Sequence, residues 1–137
     1  MRVSEFDVKK ALLDHLVANS QGFLVIPEGS DEQGVTGETY LAESVLYGPV
    51  NITIDPGGKD NLQGIYQVDV CTPIVNGDFY NLGICETLAT SFGKARSANI
   101  QHDGQWVEIQ NIEISSMTQN EAETHLVHYV SVSFRAV

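Results

Sequence analysis

The 137-residue chain is acidic: 18 Asp and Glu residues against 7 Lys and Arg residues give a formal charge of −11, and 42% of its residues are apolar. This length and apolar content predict one globular domain spanning residues 1–137. No apolar run approaches the roughly 18 residues that a membrane-spanning helix needs, and the negative charge argues against a protein that holds nucleic acid by its phosphates.

The first predicted element is an amphipathic helix over residues 5–17. Ser4 is a candidate N-cap, with Asp7 three residues later in an imperfect capping box. Apolar residues then recur at the three- and four-residue spacing that one helix face requires. We expect this face to be buried, and it comprises Phe6, Val8, Ala11, Leu12 and Leu16.

Short strands and two loops follow the first helix. Residues 23–26 are an apolar run typical of a buried strand, residues 40–47 form a second strand, and residues 50–54 form a third or continue the second past a kink. Segments 27–38 and 55–61 are rich in glycine and acidic side chains. Such composition predicts solvent-exposed loops, which often carry recognition.

The clearest pattern in the chain begins at residue 64. Tyr66, Val68 and Val70 alternate with Gln67 and Asp69. A period of two residues predicts a strand whose successive side chains point to opposite faces of the sheet. We therefore expect one side of this strand to face a core and the other side to be polar.

A second amphipathic helix is predicted after this strand. Pro73 should end the strand, Asn76-Gly77 has turn chemistry, and Asp78 can cap the helix. Gly93 fits a left-handed cap at the helix C-terminus. The predicted apolar face of this helix comprises Leu82, Cys85, Leu88, Ala89 and Phe92.

A β-hairpin is predicted over residues 98–114, with its two-residue turn at Asp103-Gly104. In the second arm, the apolar residues before Gln110-Asn111 have the opposite phase to Ile112 and Ile114. One extra residue near Gln110-Asn111 would return all of them to a single buried face. We therefore predict a β-bulge at this point.

A polar loop over residues 115–124 and a final alternating strand over residues 125–137 complete the chain. The predicted fold class is α+β: a mixed, mainly antiparallel β-sheet with two amphipathic helices packed on one face. The other face would be too polar for a second core, so we expect it to be exposed to solvent or to contact another chain. It would carry Gln67, Asp69, Ser131, Ser133 and Arg135.

The four histidines do not form a metal-binding motif. His125 and His128 are three residues apart on a predicted strand, so their side chains should face opposite ways. His102 falls at the hairpin tip, and His15 falls on the surface of the first helix without a partner at metal-binding spacing. We therefore predict neither a metal nor a cofactor, and a chelator should leave the thermal melt unchanged.

Asp69, in the middle of a strand, is the most unusual acidic residue. It could act as a general base if it were partly buried near His128. The pattern favours an ion pair with Arg135 on the polar face, since ordinary ion pairs also produce such placements. The chain has neither a nucleophile elbow nor a phosphate-binding loop. We predict no catalytic residue and therefore no enzyme.

Cys71 and Cys85 are the only cysteines. They form no CxxC pair, and both fall in predicted core elements. Since free cysteine is often buried, we expect both to be reduced packing residues rather than a disulfide or redox pair. The start of the chain lacks the apolar segment of a secretory signal, so we expect no export by that route.

The order of elements resembles the tail terminator (tail completion) proteins of long-tailed bacteriophages, particularly small ones with a non-contractile tail. The resemblance is carried by the opening helix SEFDVKKALLDHL, the Tyr40-Leu41 strand, and above all GIYQVDVCTP followed by the helix that ends at Phe92. The closing strand HYVSVSFRAV fits as well. The match spans most of the chain.

The resemblance implies a structural role in the virion. Six copies would form a ring at the head-proximal end of the tail tube, stop polymerisation of the major tail tube protein, and offer a surface to the head-completion (stopper) protein. DNA would pass through the ring without specific binding, and assembly would take place in the host cytoplasm. The candidate ring or partner contacts are Glu28, Asp31, Glu32, Asp55, Lys59, Gln67, Asp69 and Arg135.

Two alternatives stay open at this stage. One is another head–tail connector or minor tail component of similar size. The other, less favoured, is a small acid–base enzyme that uses Asp69 and a histidine.

Overall fold

The computed structural model describes residues 5–30, 37–47, 62–94, 100–115, 118–119 and 124–136. The expected strand over residues 50–54, the loop over residues 55–61 and the Ser4 cap lie outside these ranges. No helix in the described ranges is long and apolar enough to cross a membrane. The elements are α1 (Glu5–Ala18), β1 (Leu24–Ile26), β2 (Tyr40–Tyr47), β3 (Gln63–Pro73), a 3₁₀ turn (Ile74–Asn76), α2 (Asp78–Lys94), β4 (Ile100–His102), β5 (Gln105–Ile114), β6 (Thr118–Gln119) and β7 (His125–Ala136).

The described strands form one mixed sheet in the order β1-β2-β3-β7-β5-β4, with the short β6 also paired to β7. Only β1 and β2 run parallel to each other, and all other pairs are antiparallel. The two longest strands, β3 with 11 residues and β7 with 12, lie side by side at the centre. The predicted α+β class is therefore confirmed.

Both helices pack on the same face of the sheet, and the core lies between them and the sheet. We call this the inner face and the opposite one the outer face. Alternation along β3 and β7 places every second side chain on the inner face, as the sequence predicted. The most deeply buried core residues are Val8, Leu12, Leu16, Leu41, Tyr66, Val68, Val70, Cys85, Leu88, Phe92, Val130, Val132 and Phe134.

Two expectations of burial are wrong. Phe6 is 69% exposed, because it lies beside the buried stripe of α1, where its ring meets the His102 ring edge-on at 6.0 Å between centroids. Leu24 is also exposed, because β1 is an edge strand that pairs only with β2. In both cases the residue type is apolar but its position in the element faces away from the core.

The hairpin and the bulge are confirmed. Asp103 and Gly104 both have positive φ, at 48° and 79°, as the two central residues of a type I′ turn require. The pairing of β5 with β7 shifts register between Ile109 and Asn111. After the shift Ile112 lies opposite the fully buried Val132, so the apolar residues on both sides of the bulge share the inner face.

The C-terminal end of α2 and the loop before β7 differ from expectation. Gly93 is not a left-handed cap, because α2 continues through it to Lys94 and its φ is not positive. A β-carbon added to Gly93 would lie 3.7 Å from Cδ1 of Ile112, an ordinary van der Waals distance, so the packing of α2 on β5 does not require glycine here. Part of the predicted loop forms β6, which pairs with β7.

Cys71 and Cys85 are both buried and unpaired, as predicted. Burial raises the pKa of the Cys71 thiol to about 11 and that of the Cys85 thiol to about 12. A thiol that is buried and protonated is a poor nucleophile. Both cysteines therefore act as packing residues.

Candidate interaction surface

The outer face carries the polar residues that the sequence placed there. Antiparallel pairing puts Gln67 opposite Ser131 and Asp69 opposite Tyr129, so the registers agree. Nε2 of Gln67 donates a hydrogen bond to Oδ1 of Asp69 at 3.0 Å. Both side chains are half-buried, and they form a polar centre on a sheet face that has no helix among the described residues.

The predicted ion pair between Asp69 and Arg135 is wrong. Arg135 lies opposite Gln63, six residues along β3 from Asp69, which corresponds to a separation of ~20 Å. Arg135 instead binds Glu108, with 2.7 Å between Nη2 and Oε2. Both of these side chains are exposed, so the pair contributes at most about 1 kcal/mol to stability.

The structure also separates Asp69 from His128, so the proposed general-base pair is not formed. His128 lies opposite Val70 and therefore faces inward, whereas Asp69 faces outward. The His128 ring is buried, with Nδ1 2.8 Å from the Ser115 carbonyl oxygen and Nε2 2.8 Å from Oδ1 of Asp78.

The Ser115 carbonyl oxygen can only accept, so Nδ1 of His128 is the donor in that contact. The His128–Asp78 pair ties the first residue of α2 to the centre of β7.

His125 has different partners from His128, which agrees with the expectation that the two face opposite ways. Its Nε2 lies 3.0 Å from the Glu38 carbonyl oxygen, and its ring meets the Tyr40 ring edge-on at 5.2 Å between centroids. His125 is buried because the chain before β2 covers it. The two histidines share no ligand position.

His15 does not lie on the surface as predicted. Its ring is half-buried against Phe92, with 4.6 Å between the ring centroids. This burial lowers the pKa of His15 below its ordinary value. The helix-spacing argument missed the contact because it involves α2, which is distant in sequence.

One group of residues near the hairpin tip has the spacing of a three-ligand metal site. Atoms of Asp7, His102 and Asp103 lie within 4.8 Å of one another, and Nε2 of His102 is 3.8 Å from Asp7 and 3.7 Å from Asp103. The Asp103 side chain is 82% exposed, so the set is open to water. The three side chains offer one ligand atom each, but exposed acidic groups of this kind are common without a bound ion.

Glu28 is not a free loop carboxylate. Its Oε2 lies 3.0 Å from Nζ of Lys9 and accepts a hydrogen bond from the backbone N–H of Val45 at 3.2 Å. Its own backbone N–H donates to Oε1 of Glu43 at 3.1 Å. Glu28 therefore fastens α1 and the end of β1 to β2, which is a structural role within one chain.

Glu43 is a buried acid that the sequence analysis did not single out. It is 7% exposed on the inner face, and neither its Oε2 nor the Tyr66 hydroxyl has a hydrogen-bond partner among the described residues. Burial first, and then the nearby Glu43 and Glu28 carboxylates, raise the pKa of Tyr66 far above its ordinary value. Leu41 and Val45, two positions on either side, are core residues, so period-two alternation already pointed Glu43 inward.

Four of the candidate contact residues lie outside the described ranges. These are Asp31, Glu32, Asp55 and Lys59.

An exposed apolar surface, also missed from the sequence, lies where β3 turns into α2. We call it the apolar corner; it consists of Ile74, Val75, Phe79 and Tyr80. Val75 is 90% exposed and Phe79 is 91% exposed, while the other two are about two-fifths exposed. Single apolar side chains on a surface are ordinary, but a contiguous group is typical of a binding site.

Asn81 holds this corner in place. Its Nδ2 lies 2.9 Å from the Val70 carbonyl oxygen, 2.9 Å from Oγ1 of Thr72 and 3.0 Å from the Leu126 carbonyl oxygen. Its Oδ1 is 3.4 Å from Sγ of Cys85. The side chain is fully buried and links the start of α2 to β3 and β7, which makes the corner a rigid part of the fold.

The outer face also has a shallow depression, which we call the outer-face hollow. Its volume is about 300 Å³. Leu46 and Ile65 lie directly opposite each other there, and Leu46 is 60% exposed, so this part of the outer face is apolar, contrary to expectation. The described residues that line the hollow are Leu46, Gln63, Gly64, Ile65, Gln110, Ser133 and Phe134.

No protein-family model and no curated protein matches the chain. Several solved structures match in fold; one of them, of a protein without a functional name, has a TM-score of 0.69 and 20% sequence identity. The alignment covers 94% of this chain and 89% of that one. At this identity the similarity establishes the fold and nothing about activity.

Proposed function

We propose that this protein is a structural tail terminator of a long-tailed bacteriophage, and that it acts as a ring rather than as an enzyme. The observation that carries the proposal is the one-sided architecture. Both helices pack on the inner face, which leaves the outer face, with its polar centre at Gln67 and Asp69, available for contact with another chain. The sequence resemblance around GIYQVDVCTP and α2 is the reason for proposing a tail-terminator ring as the assembly in which that contact is made.

The charge of the chain is compatible with this role. Each copy carries a formal charge of −11, so a ring of six copies would be strongly negative. A negative lumen repels DNA phosphates, and DNA would pass through without being held. The proposed partners are further copies of this chain, the major tail tube protein on one side and the head-completion protein on the other.

The ring and its effect on the tube are the direct test. Purified protein is added to tubes polymerised from the major tail tube protein and imaged by negative-stain electron microscopy. We expect six-fold rings at one tube end and no further elongation. Protein that stays monomeric beside the tubes, or that binds duplex DNA at micromolar concentration in moderate salt, would overturn the proposal.

A matched pair of variants tests whether the outer face is used. Gln67→Arg changes the centre of the outer face, and Thr87→Arg makes the same charge change on the exposed side of α2. We expect the first variant to cap tubes poorly and the second to cap them normally. Equal capping by both would remove the outer face from the interface.

A further inference from the structure

The apolar corner is built to contact a partner. Burial of one phenylalanine or valine side chain contributes about 1.5–3 kcal/mol, and Val75 and Phe79 are both about nine-tenths exposed. Binding costs free energy when side chains or loops must be ordered. Asn81 already fixes this corner through its three contacts of 2.9–3.0 Å to β3 and β7, so less ordering would oppose docking.

None of the four side chains that define the corner is a carboxylate or a cation. The one carboxylate beside them among the described residues is Asp78, which lies 2.8 Å from the buried ring of His128. Elsewhere the chain has a large excess of acids, so two copies repel each other over most of their surfaces. Two acidic copies can therefore meet most easily at surfaces such as this one, where the described residues include few charged side chains.

The outer-face hollow has complementary chemistry. Its described lining contains no ionisable side chain. Leu46 and Ile65 expose apolar atoms towards it. A volume of about 300 Å³ is at the lower end of the ~300–1,000 Å³ range of ligand pockets, which suits one or two protein side chains better than a large ligand.

The corner and the hollow lie at opposite ends of β3. Ile65 is near the start of the strand, and Val75 lies in the 3₁₀ turn that follows its end. Eight strand steps of ~3.3 Å and two 3₁₀ steps of ~2 Å separate them by at most ~30 Å. The corner of one molecule therefore cannot reach its own hollow, and both surfaces are available at once. Two different patches that pair between copies form a heterologous contact, which produces rings or filaments.

We infer that the apolar corner of one copy docks in the outer-face hollow of the next copy, with Phe79 as the central side chain. The inference rests on the proposed function, because it names the contact through which the copies would form the ring. Six repeats of ~30 Å correspond to a circumference of ~180 Å and a mean diameter of ~60 Å.

Sedimentation of the purified protein from micromolar to millimolar concentration tests the corner. We expect concentration-dependent association that Phe79→Ser weakens at least about thirtyfold, as for a central interface residue. Phe6→Ser removes another exposed phenylalanine, 69% exposed on α1, and should leave association unchanged. Monomeric wild-type protein at millimolar concentration, or equal weakening by both variants, would overturn the inference.

A mixing experiment tests the head-to-tail arrangement. Phe79→Ser disables the corner and Leu46→Ser disables the hollow; both side chains are exposed, so both variants should fold. Each variant alone should be monomeric. An equimolar mixture should form dimers and nothing larger. The intact corner of Leu46→Ser can dock in the intact hollow of Phe79→Ser, and the two surfaces left over are both disabled. A mixture that stays monomeric, or a single variant that forms larger assemblies, contradicts the inference.

Experiments with tail tubes separate this inference from the proposed function. If Phe79→Ser still caps tubes as a ring, docking through the corner is wrong and the terminator role stands. If wild-type protein associates through Phe79 in solution but never caps tubes, the terminator role is wrong and the docking stands.

Discussion

Replacement of Asn81 is the sharpest test of how the β3–α2 junction is held. Asn81 is fully buried, and its Nδ2 lies within 3.0 Å of three acceptors. Asn81→Ala removes both N–H donors and leaves those acceptors with fewer hydrogen bonds. Cys85, whose sulfur contacts Oδ1, also loses a partner.

The expected loss can be worked from these contacts. A buried acceptor left unsatisfied costs about 1–3 kcal/mol. Two of the three acceptors are backbone carbonyls of β3 and β7, which have a second lone pair and lose only part of their hydrogen bonding. We therefore expect Asn81→Ala to lower the free energy of unfolding by about 2–4 kcal/mol, a large fraction of the ~5–15 kcal/mol typical of a domain.

Asn81→Asp makes the same test depend on pH. The introduced carboxyl group would face carbonyl oxygens in a buried site, which raises its folded-state pKa above the unfolded value of about 3.9. Its neutral form is the one that fits. The variant should therefore be most stable, relative to wild type, below about pH 4, and should lose up to about 1.4 kcal/mol per pH unit as pH rises towards the folded pKa.

Urea denaturation at pH 4 and pH 8 measures both effects, with wild type at each pH as the reference. Asn76→Asp, at an exposed position of the 3₁₀ turn, is the control for charge alone and should show little pH dependence. If Asn81→Ala costs less than about 0.5 kcal/mol, as at an ordinary surface site, the hydrogen-bond argument fails. It also fails if Asn81→Asp is relatively more stable at pH 8.

Three further predictions concern the apolar core, the buried hydroxyl of Tyr66 and the two buried thiols. Leu88→Ala, at a fully buried site, should lower the free energy of unfolding by about 2–5 kcal/mol, whereas Asp103→Ala in the exposed turn should cost roughly 1 kcal/mol; equal losses in urea would contradict the packing. Because burial raises the pKa of Tyr66 above its unfolded value of 10.0, its contribution to stability is complete below that pH and is lost above it. Tyr66→Phe should therefore reduce the alkaline loss of stability, and an unchanged alkaline melt would refute this. Cys71 and Cys85 should react with a disulfide reagent only as fast as the protein unfolds, and a reductant should leave the thermal melt unchanged; rapid labelling of the native protein would contradict their burial.

Local patterns predicted most of the fold. The Asp103-Gly104 turn follows from residues that tolerate positive φ. The bulge near Gln110-Asn111 follows from a change of phase that only an extra residue can correct. Both depend on neighbours in sequence, and both are present in the structure.

Long-range pairing decided what the sequence did not predict. Residue type alone suggests Arg135 or His128 as the partner of Asp69. The register of β3 against β7, however, places Arg135 six residues away and His128 on the other face. Asn81 lies among apolar helix residues, and nothing local indicates that strand carbonyls will surround it. The exposure of Phe79 also depends on where α2 meets the sheet, so helical spacing alone could not identify the apolar corner.

The short edge strands have a consequence for how copies of this chain can associate. β1 and β4, at the two edges of the described sheet, have only three residues each. A neighbour adding its backbone to β1 or β4 would gain only a few hydrogen bonds, so strand addition at these two strands, as in amyloid, is disfavoured. Copies that meet at these two strands would have to recognise one another through side chains, and side-chain contacts can set the number of subunits at which growth stops.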